Sequence, residues 1–335
     1  MPATEPMPSP DVIFDTLFAY QKSAALKTAI DLDLFTAIDE GAHTATAVAT
    51  RIDVSERGAR ILCDYLTVNR LLAKTDDGYQ LVPEAGAFLS KRSPSYLGSI
   101  ANFLLRPELK NNFENLIEAV RRGGVGPNDT DLVSNENPVW VEFARSMMPM
   151  MIPAAHAIAE RFTAVEPIKV LDIAAGHGAF GIALARRNPR AEIVALDWEP
   201  VLGLAEAHAK DAGVHGRYRT IPGDAFSVEY GSGYDVVLVT NFLHHFDAPT
   251  NTSMLKKVHA ALKPGGRVAV LEFVPNPDRV SPPMPAAFSL TMLAETAGGD
   301  AFTFAELREQ LENAGFHDIE AHSLPTPQTL LIARK

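Results

Sequence analysis

The chain has 335 residues, 47% of them hydrophobic and 21% charged, which is enough for two domains with separate cores. Acidic residues outnumber basic ones by 41 to 30, and the resulting net charge of -11 disfavours nucleic acid as a partner. The single cysteine, Cys63, excludes a disulfide framework and indicates a reducing, cytoplasmic environment.

The N-terminal residues do not have the pattern of a targeting segment. Residues 1–10 are rich in proline and contain no apolar core of the kind that signal peptides have. No stretch approaches 18 unbroken apolar residues, so we expect no association with a membrane.

The first part of the chain is predicted to be mainly helical, with a winged-helix arrangement. Apolar residues at helical spacing predict a first helix over 12–37. Two shorter helices are predicted over 44–52 and 56–69, the second with Ser55 as its N-cap. An Asp-Asp-Gly turn at 76–78 then predicts a β-hairpin.

A winged helix can bind DNA or act as a structural and dimerisation module. The second helix offers Arg57 and Arg60 to a nucleic acid, but Glu56 and Asp64 lie on the same helix. This weak positive charge favours the structural role.

The segment 96–160 is predicted to be helical and apolar. Its aromatic and methionine side chains suit either a core or an adaptable pocket wall. We therefore predict three parts: a winged-helix domain over 1–95, a helical linker and substrate lid over 96–160, and a ligand-binding domain over 161–335.

The last part alternates short β-branched runs with helices, which predicts a doubly wound α/β sheet. Seven strands are predicted over 168–171, 191–196, 218–221, 234–239, 267–273, 319–323 and 330–334. A helix over 251–262, ending at a Pro-Gly-Gly sequence, precedes the fifth strand. The short connection between the last two strands requires them to be antiparallel, so the sheet ends in a reversed hairpin.

A glycine-rich turn follows the first of these strands. Gly176, Gly178 and Gly181 form the pattern G-x-G-x-x-G at the start of a helix, where backbone N–H groups are free and a ligand can approach closely. This pattern alone suits NAD as well as a nucleoside sulfonium.

Three carboxylates distinguish between these ligands. Asp172, Asp197 and Asp224 lie at the ends of three successive strands. An acid beside the glycine turn repels a pyrophosphate, whereas it attracts a positive sulfur and an ammonium group. Asp197 is placed to accept the ribose hydroxyls and Asp224 to meet the adenine amino group. The pattern therefore favours S-adenosylmethionine over NAD.

Several motifs together resemble the caffeate- and isoflavone-type O-methyltransferase family, in its bacterial branch. They are LDIAAGHG, ALDW, GDAF, NFLHHFD, the KPGG-to-LEF strand and FTFAEL with NAGF, and they extend over nearly the whole chain. The resemblance implies a class I methyltransferase domain, Rossmann-like and seven-stranded, preceded by a mainly helical winged-helix dimerisation domain. It also implies a homodimer.

The resemblance assigns His244 as a general base and Glu272 as the acid that orients it. A neutral imidazole at the end of the fourth strand can take a hydroxyl proton near neutral pH. The chain departs from the family pattern at Ala174, often glycine, and at Ala301, where the family commonly has a second acid, although Asp300 is adjacent. His245 and Phe246 stand where Asp and Trp are common.

The predicted site has three groups of residues. The catalytic residues are His244 and Glu272. The predicted cofactor-binding residues are Asp172, Ala174, Gly176, Gly178, Asp197, Trp198, Asp224, Ala225, Phe226 and Asn241. The predicted wall of an apolar pocket for a small aromatic or enolic acceptor consists of Phe143, Met147, Met151, His245, Phe288 and Met292.

Other functions stay open at this point. No spacing of histidines, cysteines or acids indicates a metal site. The alternatives are C- or N-methylation, an NAD-dependent oxidoreductase using the same glycine turn, a winged-helix regulator, and a protein that binds the sulfonium without transferring its methyl group.

Overall fold

The computed structural model of the chain describes residues 8–126, 138–162 and 168–335. The sequence expectations for residues 1–7, 127–137 and 163–167 lie outside the described residues. The chain divides into two compact units, Met1–Leu105 and Arg106–Lys335. The predicted boundaries at 95 and 160 stay predictions.

The first unit is helical with one small hairpin, as predicted. Its elements are α1 (Asp11–Leu17), α2 (Ala19–Asp31), α3 (Leu34–Asp39), α4 (Ala45–Ile52), α5 (Glu56–Val68), β1 (Leu72–Thr75), β2 (Gly78–Leu81), α6 (Pro83–Leu89) and α7 (Ile100–Leu104). Ser55 caps α5 by accepting a 3.1 Å hydrogen bond from the Gly58 N–H, and β1 pairs with β2 antiparallel. The core of this unit contains Phe35, Ile38 and Leu66.

The prediction of one long helix over 12–37 is wrong. The chain leaves helical geometry at Phe18, with ψ near 0°, and at Asp33, which has a positive φ of 57°. Apolar residues keep a helical spacing across both breaks, so periodicity alone does not reveal them.

The second unit contains the predicted α/β sheet. Its elements are α8 (Pro107–Glu114), α9 (Leu116–Arg122), α10 (Val139–Arg161), β3 (Ile168–Ile173), α11 (Ala179–Arg187), β4 (Ala191–Asp197), α12 (Glu199–Asp211), β5 (Tyr218–Pro222), β6 (Tyr234–Thr240), α13 (Ala248–Ala261), β7 (Leu262–Glu272), α14 (Pro283–Glu295), α15 (Phe304–Asn313), β8 (His317–Ser323) and β9 (Thr329–Arg334). None of the described helices is long and apolar enough to cross a membrane.

The seven-stranded sheet has the order β5-β4-β3-β6-β7-β9-β8. The first five of these strands are parallel, and β9 runs antiparallel to both β7 and β8. The predicted reversed hairpin is therefore confirmed. The strand order reverses between β3 and β6, so their carboxyl ends border the crevice where open α/β sheets bind ligands.

The Pro-Gly-Gly sequence does not end a helix as predicted. The helix α13 ends at Ala261, and Leu262 already pairs with Tyr234 as the first residue of β7. The register then shifts before Val236 pairs with Arg267, so the glycines form an irregularity within a strand. Gly265, with a φ of 75°, provides the left-handed backbone at this point.

Candidate active site

The glycine turn joins the end of β3 to the start of α11. Ala174, Gly176 and Gly178 all have positive φ, of 52°, 57° and 75°. A Cβ added at Gly178 would lie 2.7 Å from the hydroxyl oxygen of Tyr218, so only glycine fits there. Ala174 adopts the left-handed conformation without being glycine, which is a locally strained backbone of the kind found at binding sites.

Asp197 at the end of β4 supports this turn directly. Its Oδ2 accepts a 2.8 Å hydrogen bond from the Gly176 N–H, and its Oδ1 accepts one of 2.7 Å from the Trp198 N–H. Burial raises the pKa of Asp197 to about 6, and these two hydrogen bonds oppose the rise. The carboxylate is therefore ionised at neutral pH beside the turn.

Asp172 is the acid that precedes the glycine turn. Its side chain is 0% exposed, with Oδ2 accepting a 3.0 Å hydrogen bond from the Gly181 N–H in α11. Its Oδ1 is buried and has no hydrogen-bond partner among the described residues. Burial raises its pKa to about 8. The structure thus places Asp172 beneath the turn, against the helix, and not on an open crevice.

Asp224 organises the loop that follows β5. Its Oδ1 accepts a hydrogen bond of 2.9 Å from the Phe226 N–H, and its Oδ2 one of 2.7 Å from the Ser227 hydroxyl. Ala225 is buried, and Phe226 packs its ring at 4.8 Å from that of Phe246, which follows β6. The loop after β5, which holds predicted cofactor residues, thereby packs on the segment that follows β6.

His244 and Glu272 form a buried pair at the ends of β6 and β7. The distance from His244 Nδ1 to Glu272 Oε2 is 2.5 Å, and their relative exposures are 5% and 2%. The other carboxylate oxygen accepts hydrogen bonds from the Phe242 and Leu243 N–H groups, at 2.9 and 2.7 Å. Both oxygens of Glu272 are therefore engaged, which holds the carboxylate in one orientation.

Aromatic rings surround this pair. The His244 ring lies 4.2 Å from that of His245 and 4.9 Å from that of Phe288, which is perpendicular to it. Trp140 of α10 contacts His245 edge to face at 5.3 Å. Burial, followed by the neighbouring His244, lowers the pKa of His245 well below its usual range, so this second imidazole stays neutral.

The loop before α15 contacts the histidine segment through glycine. A Cβ on Gly299 would lie 2.1 Å from the His244 carbonyl oxygen, so a side chain there would displace the histidine backbone. Ala301 is 0% exposed, and Asp300 instead forms an ion pair with Arg279 at 3.2 Å. Asp300 thus has a partner other than His244.

The predicted pocket residues have unequal environments. Phe143 covers the glycine turn: its Cε1 lies 3.9 Å from the position of a Cβ on Gly176, and its ring stacks on His177 at 6.5 Å. Met147 and Met292 are buried. Met151 accepts hydrogen bonds at its sulfur from the amides of Asn241 and Gln328.

Some residues of the site were not predicted from the sequence. Trp140 and Gln328 lie against predicted site residues, and Lys257 of α13 binds the backbone of the loop that contains Asp224. Trp140 is one of only two tryptophans in the chain and lies in the predicted lid, which was a usable signal for its role. An isolated glutamine and lysine offered none. Among the described residues, no group of three or more His, Cys, Asp or Glu side chains could hold a metal ion.

The strand order, the reversed hairpin and the acids around the glycine turn together define a class I methyltransferase. The chain belongs to the O-methyltransferase family, since that family's O-methyltransferase domain matches residues 123–317 and its dimerisation domain matches residues 14–91. It is an S-adenosylmethionine-dependent methyltransferase. Family membership thus decides between the two ligands that the glycine pattern left open.

Relatives with a similar sequence cover nearly the whole chain. A crystal structure from Nostoc punctiforme, described as a candidate O-methyltransferase, is 48% identical, covers 98% of this chain and 100% of its own, and superposes with a TM-score of 0.95. The tetracenomycin polyketide synthesis 8-O-methyl transferase TcmO of Streptomyces glaucescens is 28% identical over 97% of both chains. The L-tyrosine C(3)-methyltransferase of Streptomyces lavendulae is 27% identical over 95% of this chain and 91% of its own.

Proposed function

We propose that the protein transfers a methyl group from S-adenosylmethionine to a hydroxyl oxygen of a small aromatic or enolic acceptor, with His244 as general base. The single observation that carries this proposal is the buried 2.5 Å hydrogen bond between His244 Nδ1 and Glu272 Oε2. Because the carboxylate accepts from Nδ1–H, the lone pair of the neutral imidazole is on Nε2. Nε2 is then the atom that takes the acceptor's hydroxyl proton, and the Glu272 carboxylate stabilises the imidazolium.

The residues around the glycine turn fit the cofactor. Asp197 presents an ionised carboxylate at the end of β4, where it can accept the ribose hydroxyls. Asn241 has a buried carbonyl oxygen without a hydrogen-bond partner among the described residues, which is an acceptor available to a ligand. When bound, S-adenosylmethionine supplies an electrophilic methyl group on a positively charged sulfur. We assign Trp198, Asp224, Ala225 and Phe226 to the adenosine end and Asp172 to support of the turn.

The acceptor is proposed to be flat and apolar. Phe288 faces the base perpendicularly, His245 lies beside it, and Phe143, Met147 and Met292 complete the proposed wall. The relative TcmO, an 8-O-methyl transferase of polyketide synthesis, is consistent with such an acceptor. We also propose a homodimer formed through the dimerisation domain, in the reducing cytoplasm that the single buried cysteine suits.

Methylation at carbon is the second candidate. Ala301 replaces the second acid of the family pattern, and Asp300 is paired with Arg279, so the base has a single carboxylate partner among the described residues. Methylation of an activated ring carbon forms the C–CH3 bond as the S–CH3 bond breaks, and the ring proton is released afterwards, so the methyl transfer itself depends less on a base. The relative from Streptomyces lavendulae is an L-tyrosine C(3)-methyltransferase.

The test is turnover of a panel of phenols, enols and amines, with methylated products identified by mass spectrometry. We expect His244→Gln to lower the rate with a phenolic acceptor by about 10²–10⁴-fold, the usual contribution of a general base. The matched control is His156→Gln, on the exposed face of α10. Unchanged phenol turnover by His244→Gln, with S-adenosylhomocysteine still bound, would contradict the assignment of the base.

A further inference from the structure

The sulfur of Met151 lies between two amide side chains. Asn241 Nδ2 is 3.6 Å and Gln328 Nε2 is 3.8 Å from Met151 Sδ. The three residues come from α10, from the end of β6 and from the residue before β9. Met151 and Gln328 are 3% and 2% exposed, so water does not compete strongly for these contacts.

A thioether sulfur can accept hydrogen bonds but cannot donate them. Both amides must therefore direct their NH₂ groups towards Met151, which decides the orientation of each amide. For Asn241 the consequence is that Oδ1 points away from the sulfur. This oxygen is buried and has no hydrogen-bond partner among the described residues, a costly state for a carbonyl oxygen unless a ligand supplies the donor.

The backbone of Asn241 is also held in place. Its φ is 51°, in the left-handed region, and its N–H donates a 2.7 Å hydrogen bond to the Leu271 carbonyl. Since Val239 pairs with Ile173, Asn241 lies level with the glycine turn. Because β3 separates β6 from β4, Asn241 is on the opposite side of this turn from Asp197.

We propose that Met151 and Gln328 are positioning residues that orient Asn241 so that its Oδ1 accepts a hydrogen bond from the ammonium group of the cofactor's amino-acid tail. The inference rests on the proposed placement of the ribose at Asp197, which directs the other end of the cofactor towards β6. The ammonium is the only strong hydrogen-bond donor at that end. Met151 thus acts through Asn241 and not as a simple apolar wall.

Comparing the binding of two ligands isolates the contribution of the amino-acid tail. S-adenosylhomocysteine has the amino-acid tail, whereas 5′-methylthioadenosine has the same nucleoside and an uncharged sulfur but no tail. We expect Met151→Leu, which keeps the volume and removes the acceptor, to weaken S-adenosylhomocysteine binding about tenfold in calorimetric titration, as for one lost hydrogen bond. Binding of 5′-methylthioadenosine should stay within about twofold of wild type.

Two further variants and one control complete the experiment. Asn241→Leu and Gln328→Leu should shift the affinities in the same direction, and they test the proposal if Met151→Leu does not fold. Met254→Leu is the control, since Met254 is a buried core methionine of α13 and makes no hydrogen bond to Asn241 or Gln328 among the described residues.

The proposal would be overturned if Met151→Leu and Asn241→Leu weakened the binding of both ligands equally. It would also be overturned if these variants changed the binding of neither ligand. Failure of folded wild-type protein to bind S-adenosylhomocysteine would instead contradict the cofactor site itself. The two failures are therefore distinguishable.

Discussion

Two acids near the glycine turn differ in pKa because both are desolvated by burial but Asp197 accepts more backbone hydrogen bonds. Asp172 is completely buried with one backbone hydrogen bond, and its pKa is raised to about 8. Asp197 has two backbone hydrogen bonds, and its pKa is raised only to about 6. At pH 7 the negative charge is therefore on Asp197, at the edge of the turn, and Asp172 carries a proton. His177 within the turn is neutral, because burial lowers its pKa to about 3.

The protonation of Asp172 predicts a pH dependence of stability. The folded state binds this proton more tightly than the unfolded state, where the pKa is the ordinary 3.8. The contribution of Asp172 to the stability of the wild type should therefore fall as pH rises from about 4 to about 8, and Asp172→Asn should lack this contribution. Relative to the wild type, the variant should gain stability between pH 5 and pH 8 in urea unfolding experiments. Parallel stability curves would contradict this assignment, and Asp211→Asn, at an exposed aspartate, is the control.

At the scale of elements, α13 holds the loop that follows β5. Lys257 Nζ donates hydrogen bonds to the carbonyls of Ala225, Phe226 and Val228, at 3.0, 2.7 and 3.1 Å. Its ammonium also lies 4.5 Å from the centre of the Tyr230 ring, whose hydroxyl donates a 2.6 Å hydrogen bond to the Ala225 carbonyl. One side chain thereby supplies hydrogen bonds to three carbonyls in a loop, where no strand or helix supplies a donor.

Removing this ammonium should loosen the loop without disrupting the sheet. We expect Lys257→Met, which keeps the apolar stem, to increase amide hydrogen exchange over 224–230 and to weaken S-adenosylhomocysteine binding several-fold, roughly the value of one or two hydrogen bonds. Lys256→Met is a matched control on the exposed side of the same helix. Exchange in this loop that is identical in both variants would show that Lys257 does not organise it.

At the scale of the whole molecule, the first unit carries an apolar surface on its first helix and the turn after it. Val12, Ile13, Phe14, Leu17 and Phe18 are each at least half exposed. Exposed apolar residues grouped in this way mark an interaction surface, and Phe14, Leu17 and Phe18 lie within the dimerisation domain match, which begins at residue 14. The proposed homodimer would cover it.

A charge in this patch should dissociate the dimer. We expect Phe14→Glu to shift the mass measured by light scattering from that of a dimer towards that of a monomer, because burying an unpaired carboxylate in an apolar interface is unfavourable. Ser23→Asp, at an exposed polar position of α2, is the control. A variant that stays dimeric at micromolar concentration would place the interface elsewhere.

The order of strands and helices in the second unit was predictable because it follows from local patterns. Short β-branched runs separated by helices require a parallel sheet with right-handed crossovers, and this brings the residues after β3, β4 and β6 to one edge. The glycine turn, Asp197 and His244 were located in this way. The pairing of His244 with Glu272 came from family resemblance, and the structure gives its distance.

The sequence by itself therefore determined which residues stand at the carboxyl ends of the strands, since chain order and alternation settle that. Only the tertiary structure decided which partners the side chains of these and other residues contact. Asp172 turns under α11, Asp300 turns to Arg279, and Met151 meets Asn241 and Gln328. These partners lie 9 to 177 positions apart, and their meeting depends on how helices pack on the sheet, which local periodicity does not encode.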